Sequence, residues 1–149
     1  MDHSKKFLYL MSRAMNRIKY YSISKFNEGG VTVTPSQMGI LFLLKNGKPL
    51  PMTALSSALS VDNSTLTRHA DKLIRSELVE RVRDDSDRRI LKLRITEKGL
   101  IESGKAARIS NQINAEVISG FSEEEILIFS KILMSIIQKF DLAEGGSNE

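Results

Sequence analysis

The chain predicts a mainly α fold with one small β-hairpin, and three observations carry that prediction. Apolar residues recur at three- and four-residue spacing over most of the length, which is the period of helices with one buried face. Helix-start signals stand at Thr34, Thr53, Asp62, Thr96 and Ser122. Only between Val79 and Ile95 does the apolar pattern change to alternation.

The first helix carries Phe7, Leu8, Leu10, Met11, Ala14, Met15, Ile18 and Tyr21 as one broad stripe and ends before the joint Asn27-Glu28-Gly29-Gly30. The second opens at Val33-Thr34-Pro35-Ser36-Gln37-Met38. There Thr34 caps, Pro35 suits the first turn, Gln37 reaches back to the cap and Val33 packs on Met38. Leu41, Phe42 and Leu44 continue its apolar face until Asn46-Gly47-Lys48-Pro49 stops it. Thr53 is expected to cap a short third helix bearing Leu55, Ala58 and Leu59, and after Ser60-Val61 the carboxylate of Asp62 caps a fourth.

Two short helices joined so closely form a helix-turn-helix. In the fourth helix Leu66, Ala70, Leu73 and Ile74 share one face and anchor it. The other side presents Asn63, Ser64, Thr65, Thr67 and Arg68, then Lys72 and Arg75 one turn on. Amides and hydroxyls at a helix start can address base edges, and basic side chains can address phosphates. An ordinary solvated helix face is the commoner explanation of such a stripe; the hairpin that follows is what weighs against it.

In that hairpin Leu91, Leu93 and Ile95 lie on one face of the second strand. The turn Asp84-Asp85-Ser86-Asp87-Arg88-Arg89 carries two adjacent guanidinium groups at its tip, suited to a narrow minor groove, although a solvated loop is an equally weighted reading of a charge run taken alone. Beyond it Thr96 caps a long fifth helix with Leu100, Ile101, Ile109, Ile113, Val117 and Ile118 along a seam. Ser122-Glu123-Glu124-Glu125 forms a capping box, with Phe121 and Ile126 as its staple. It opens a sixth helix bearing Ile128, Ile132, Leu133, Ile136, Ile137 and Phe140. The terminal helices are too apolar to stand alone in water, so helices one, five and six are expected to pack partly inward and partly against a second copy across a two-fold axis.

Composition narrows the function. At 149 residues and 41% hydrophobic content the chain suffices for one domain that buries roughly two-thirds of its unfolded surface. It contains no cysteine, which excludes disulfides, thiolate catalysis, cysteine-based redox sensing and Cys-containing zinc sites. The basic segment around Arg13, Arg17 and Lys19 leaves no uncharged run for a secretory signal or membrane span, so a cytoplasmic location is expected. Residues 1 to 100 hold 18 Lys plus Arg against 10 Asp plus Glu, and residues 101 to 149 hold 4 against 8. The positive charge therefore travels with the polar helix and hairpin, as a polyanionic partner requires, although charge alone does not separate DNA from RNA or an anionic membrane.

These residues together resemble the MarR family of winged helix-turn-helix transcription regulators, over nearly the whole chain. The most specific match is Asp87-Arg88-Arg89 followed by Leu91, Leu93, Ile95, Thr96 and Gly99, an Asp-x-Arg wing tip and a Leu-Thr-x-x-Gly segment; Leu66-Thr67-Arg68, Leu73 and Leu78-Val79-Glu80-Arg81 match the recognition helix and its exit. The resemblance implies a single domain over 1–149, with a winged helix-turn-helix at 31–98 and dimerisation helices at 1–30 and 99–149. It implies that Arg89 enters the minor groove, that Asp87 holds its guanidinium, and that Arg88 contacts phosphate. Asn63, Ser64, Thr65, Thr67 and Arg68 would face the major groove. It also implies a homodimer, a repressor on a pseudo-palindromic operator, and a small aromatic or anionic effector, for which Met11, Met15 and Met38 are possible but undistinguished lining. Glu77 and Ser60 stand where the family usually has glycines, so both helix ends are expected to close by a different geometry.

An enzyme is not expected. His3 and His69 are the only histidines, Asp84, Asp85 and Asp87 lack the glycine and distal glutamate of a calcium loop, and neither a phosphate-binding glycine loop nor a nucleophile elbow is present. The reading kept beside DNA regulation is a winged-helix interaction module for an acidic protein partner, which would bind every duplex weakly and alike.

Overall fold

The computed structural model describes residues 6–84, 86, 87 and 89–145. Its elements are α1 (Phe7–Glu28), α2 (Pro35–Leu44), β1 (Leu50–Pro51), α3 (Met52–Leu59), α4 (Asn63–Arg75), β2 (Val79–Arg83), β3 (Leu91–Ile95), α5 (Glu97–Ile118) and α6 (Glu123–Gly145). The chain divides into two compact units, residues 1–111 and 112–149. Among the described residues no helix is long and apolar enough to cross a membrane.

In the first unit α2 begins as its sequence requires: Gln37 N donates to Thr34 Oγ1 at 3.2 Å, and Thr34 N donates to Gln37 Oε1 at 2.9 Å. That helix buries Ile40, Leu41 and Leu44 against Leu55 of α3 and Leu66 and Leu73 of α4, all at most 1% exposed. The start of α3 differs from expectation. Thr53 lies inside the first turn, and the cap position is Pro51, extended and without a side-chain cap. The cause is non-local, because Leu50 and Pro51 pair with Leu93 and Lys92 of β3, and the strand runs straight into the helix. The result is a three-stranded antiparallel sheet in the order β1-β3-β2. Val79 faces Ile95 at its base and Arg83 faces Leu91 at its outer end. Leu93 and Ile95 are buried, while Leu91 at the outer end is exposed.

Three helices of this unit end in one pattern. After α1, Val31 N bonds Phe26 O at 2.9 Å and Gly30 N bonds Asn27 O at 3.1 Å. After α3, Val61 N bonds Ser56 O at 3.1 Å and Ser60 N bonds Ser57 O at 3.1 Å. After α4, Leu78 N bonds Leu73 O and Glu77 N bonds Ile74 O, both at 2.9 Å. This paired geometry needs a left-handed residue, and Gly30, Ser60 and Glu77 supply it at φ of 66°, 50° and 60°. The different closure expected at Ser60 and Glu77 is therefore not found. The same closure is made by side-chain-bearing residues that hold an unfavourable backbone conformation.

The exit of α4 is tied to the start of α5 at close quarters. Thr96 caps α5 through Gly99 N at 3.0 Å, while its own N and Oγ1 both donate to Leu78 O at 3.1 Å, and Oγ1 also donates to Glu77 O at 2.7 Å. Gly99 passes so near that a Cβ would stand 2.0 Å from Leu78 O. One turn further, the buried carboxylate of Glu102 accepts from both Thr32 N and Thr32 Oγ1 and so pins the α1–α2 joint. The apolar seam predicted along α5 is accordingly split, since Leu100 and Ile101 are exposed whereas Glu102, Ser103 and Ala106 are buried.

In the second unit Ser122 N donates to Glu125 Oε2 at 2.8 Å and Glu125 N donates to Ser122 Oγ at 3.2 Å, the expected capping box. The α6 residues Ile128, Phe129, Ile132, Ile137 and Phe140 are all exposed, as are Leu8, Leu10 and Met15 of α1.

Candidate nucleic-acid interface

The fourth helix is held by its apolar face and leaves its polar face free. Leu66, Ala70 and Leu73 are buried, whereas Asn63, Ser64, Thr67, Arg68, Lys72 and Arg75 are exposed and Thr65 is half-buried. At the helix start Asp62 accepts from Thr65 N at 2.8 Å, Thr65 Oγ1 at 2.7 Å and Ser64 Oγ. These donors, led by the Ser64 hydroxyl, hold its carboxyl well below the usual carboxylate range. Thr67 Oγ1 donates to Asn63 O at 2.8 Å. Three hydroxyl protons that the sequence offered to an external partner are thus used inside the helix, which leaves those oxygens as acceptors.

Among the described residues, Asn63 and the cations are donors on this face that no partner within the helix start consumes. Arg68 leans on Thr65 Oγ1 at 3.3 Å, and among the described residues Arg68, Lys72 and Arg75 form no ion pair. Together with Thr65, His69 and Asp71 they line a shallow hollow of about 320 Å³ along the helix. Asp71 is paired with Arg81 of β2 at 2.6 Å, which braces the hairpin to the helix, and Arg94 is paired with Glu80 at 2.8 Å across the two strands of the hairpin.

The hairpin tip is organised by two aspartates. Asp84 accepts from Ser86 N at 2.8 Å, Asp87 N at 3.1 Å, the Ser86 hydroxyl and Lys92 Nζ, and these partners, Lys92 foremost, depress its pKa. The sequence places Asp84 in the turn and lets it be weighed as a metal ligand, without singling it out as the carboxylate that organises the tip. Its Asp-x-Ser spacing, typical of a side chain closing its own turn, is the signal that could have found this role. Asp87 then takes Arg89 in a two-pronged grip, Nε to Oδ1 and Nη2 to Oδ2 both at 3.1 Å, with Arg89 N on Oδ1 at 3.0 Å. The guanidinium lowers the Asp87 pKa and is itself 91% exposed. A planar cation thus projects from the tip with its direction set, the expected Asp87–Arg89 relation in the free protein. Arg88 lies outside the described residues.

A helix with a free cationic face beside a hairpin with one aimed arginine is the geometry of a winged helix-turn-helix, and comparison with known proteins agrees. The profile described as MarR family matches residues 33–91. The HTH-type transcriptional repressor MdtR of Bacillus subtilis is 30% identical over 112 residues, covering 75% of this chain and 72% of its own. The chain belongs to the MarR family. The HTH-type transcriptional regulator MhqR, also from Bacillus subtilis, is 28% identical over 140 residues, covering 91% and 92% of the two chains. The crystallised MepR–DNA complex of Staphylococcus aureus shares the fold at a TM-score of 0.81 and 21% identity, over 89% of this chain and 97% of that one. In this MarR-family regulator the matched segment takes in α2, β1, α3, α4 and β2 and ends at the first residue of β3.

Proposed function

We propose that this MarR-family protein is a homodimeric repressor that binds a pseudo-palindromic operator. The recognition helix α4 lies in the major groove, where Asn63 and Arg68 read base edges. Ser64, Thr65 and Thr67 serve as hydroxyl acceptors, and Lys72 holds phosphate. Arg89 enters the minor groove, Asp87 limits the ordering it must undergo, and Arg88 contacts the backbone. The single observation that carries this reading is the two-pronged Asp87–Arg89 pair on an exposed tip, since a guanidinium already aimed before binding serves recognition and does little for stability.

Dimerisation is supported by the uncovered apolar residues of α1 and α6, among them Leu8 at 80% and Phe140 at 61% exposure, more than a monomer in water favours. An aromatic or anionic effector that binds the two head spacings unequally completes the reading. Met38, half-buried with its sulfur accepting from Ser110 Oγ at 3.1 Å, offers the adaptable kind of lining such a ligand requires.

The test is fluorescence anisotropy on fluorescent duplexes. Arg89→Ala is expected to weaken operator binding at least tenfold without loss of helical content. Unchanged affinity would remove the wing from the interface. Equal binding of wild type to operator and random duplex would favour the protein-interaction reading instead.

A further inference from the structure

The recognition helix holds one polar group that the reading above leaves unused. His69 sits between Arg68 and Lys72 in sequence and lines the same hollow. Its Nδ1 is buried and has no hydrogen-bond partner among the described residues, whereas Nε2 is not among the buried unpartnered atoms, and the half-buried residue lines the hollow. A neutral imidazole carries one proton. Placing it on Nδ1 would bury an N–H without an acceptor, the rarest kind of unsatisfied group, while placing it on Nε2 leaves only a lone pair inside.

The surroundings oppose a second proton. Burial, then Lys72 and Arg68, hold the His69 pKa below its ordinary value. The elements packed against α4 supply no relief: α2 and α3 carry no charged residue within their bounds, and in β2 Arg81 is already engaged by Asp71 and Glu80 by Arg94. At neutral pH the ring is therefore an uncharged donor with one direction, outward, in a strip whose other donors are cations.

We propose that His69, as the neutral Nε2–H tautomer, donates a hydrogen bond to a backbone phosphate of the bound duplex beside the phosphate held by Lys72. This rests on the reading that α4 docks in the major groove. The contact differs in kind from that of its neighbours, because a neutral donor releases no counterion and adds affinity without adding salt dependence.

The experiment measures affinity against salt at pH 7.5, using the full-length protein and a two-fold duplex recovered by selection from random sequences. His69→Leu is expected to lose about three- to tenfold in affinity per half-site, the worth of one neutral hydrogen bond, with the salt slope unchanged. Lys72→Ala should lower that slope by about 0.9 per half-site. His69→Gln, which keeps an amide donor, should bind within about threefold of wild type, a change smaller than one hydrogen bond. Full affinity in His69→Leu, a reduced salt slope, or equal losses in Leu and Gln would each overturn the proposal. Should His69→Leu fail to fold, long-range proton–nitrogen NMR of the wild-type ring decides, since a proton on Nδ1 or on both nitrogens contradicts the assignment. Failure of the wild type to prefer any duplex would instead remove the docking of α4 itself.

Discussion

Glu77 offers a prediction whose size follows from the backbone. It occupies the left-handed position after α4 at φ 60°, held there by Glu77 N to Ile74 O, Leu78 N to Leu73 O and the Thr96 hydroxyl on Glu77 O. A residue with a Cβ costs about 1–2 kcal/mol in that conformation, and Glu77→Gly removes the cost. Glycine gives back about 0.5–1 kcal/mol by loosening the unfolded chain. The ion pair with Lys98 is lost as well, but both ends are largely exposed, so its contribution is close to nothing. The net expectation is a gain of up to about 1.5 kcal/mol, with a middle value of about 0.75 kcal/mol, or a rise in Tm of about 1–3 °C at that middle value for a chain of this size. Glu77→Ala is the control, since it deletes the ion pair and keeps the Cβ. Thermal unfolding by circular dichroism should rank Gly above wild type, with Ala no higher than wild type. A glycine variant that melts at or below the alanine variant would refute the argument that the backbone, and not the side chain, dominates at this position.

At Gly99 the sign reverses: Gly99→Ala must push aside Leu78 O and the Ile95 side chain, an overpacking worth about 1–3 kcal/mol, visible as a lowered urea midpoint. Glu102→Ala leaves the Thr32 N–H without its acceptor in a partly buried joint, and a destabilisation of about 1–3 kcal/mol is expected by the same assay. Acid should weaken the fold through Asp62, Asp84 and Asp87, whose pKa values are all depressed by hydrogen bonds or ion pairs. Their contribution is complete above the ordinary carboxylate value of about 3.9 and is lost as pH falls through their lower folded values. Melting curves from pH 6 to pH 2 should therefore show a decline that is shallower in Asp62→Ala.

What could be read from the sequence was local. The Thr34–Gln37 box, the Asp62 cap, the Thr96 cap and the Ser122–Glu125 box each close within three residues, and all four are present. What could not be read depended on distant chain. Thr53 lost the cap of α3 because β1, only two residues long, is defined by β3 some forty residues away. The burial of Glu102 depends on Thr32, 70 residues earlier, and no periodicity announces it. At Ser60 and Glu77 residue type argued against the left-handed closure, yet the paired backbone hydrogen bonds that end each helix are made there all the same. The polar face of α4 and the tip arginine were both legible. The internal use of its hydroxyls was not, since the Asp62 carboxylate competes for the protons that an external partner would take.

The most direct test of the whole account is selection of random duplexes by the purified protein, read by sequencing. Two copies presenting α4 and the wing to B-form DNA must return a two-fold motif whose half-sites lie about one helical turn, roughly 34 Å, apart, and Arg89→Ala must fail to enrich it. An asymmetric motif, half-sites at unrelated spacings, or a pool no different from the starting library would contradict it.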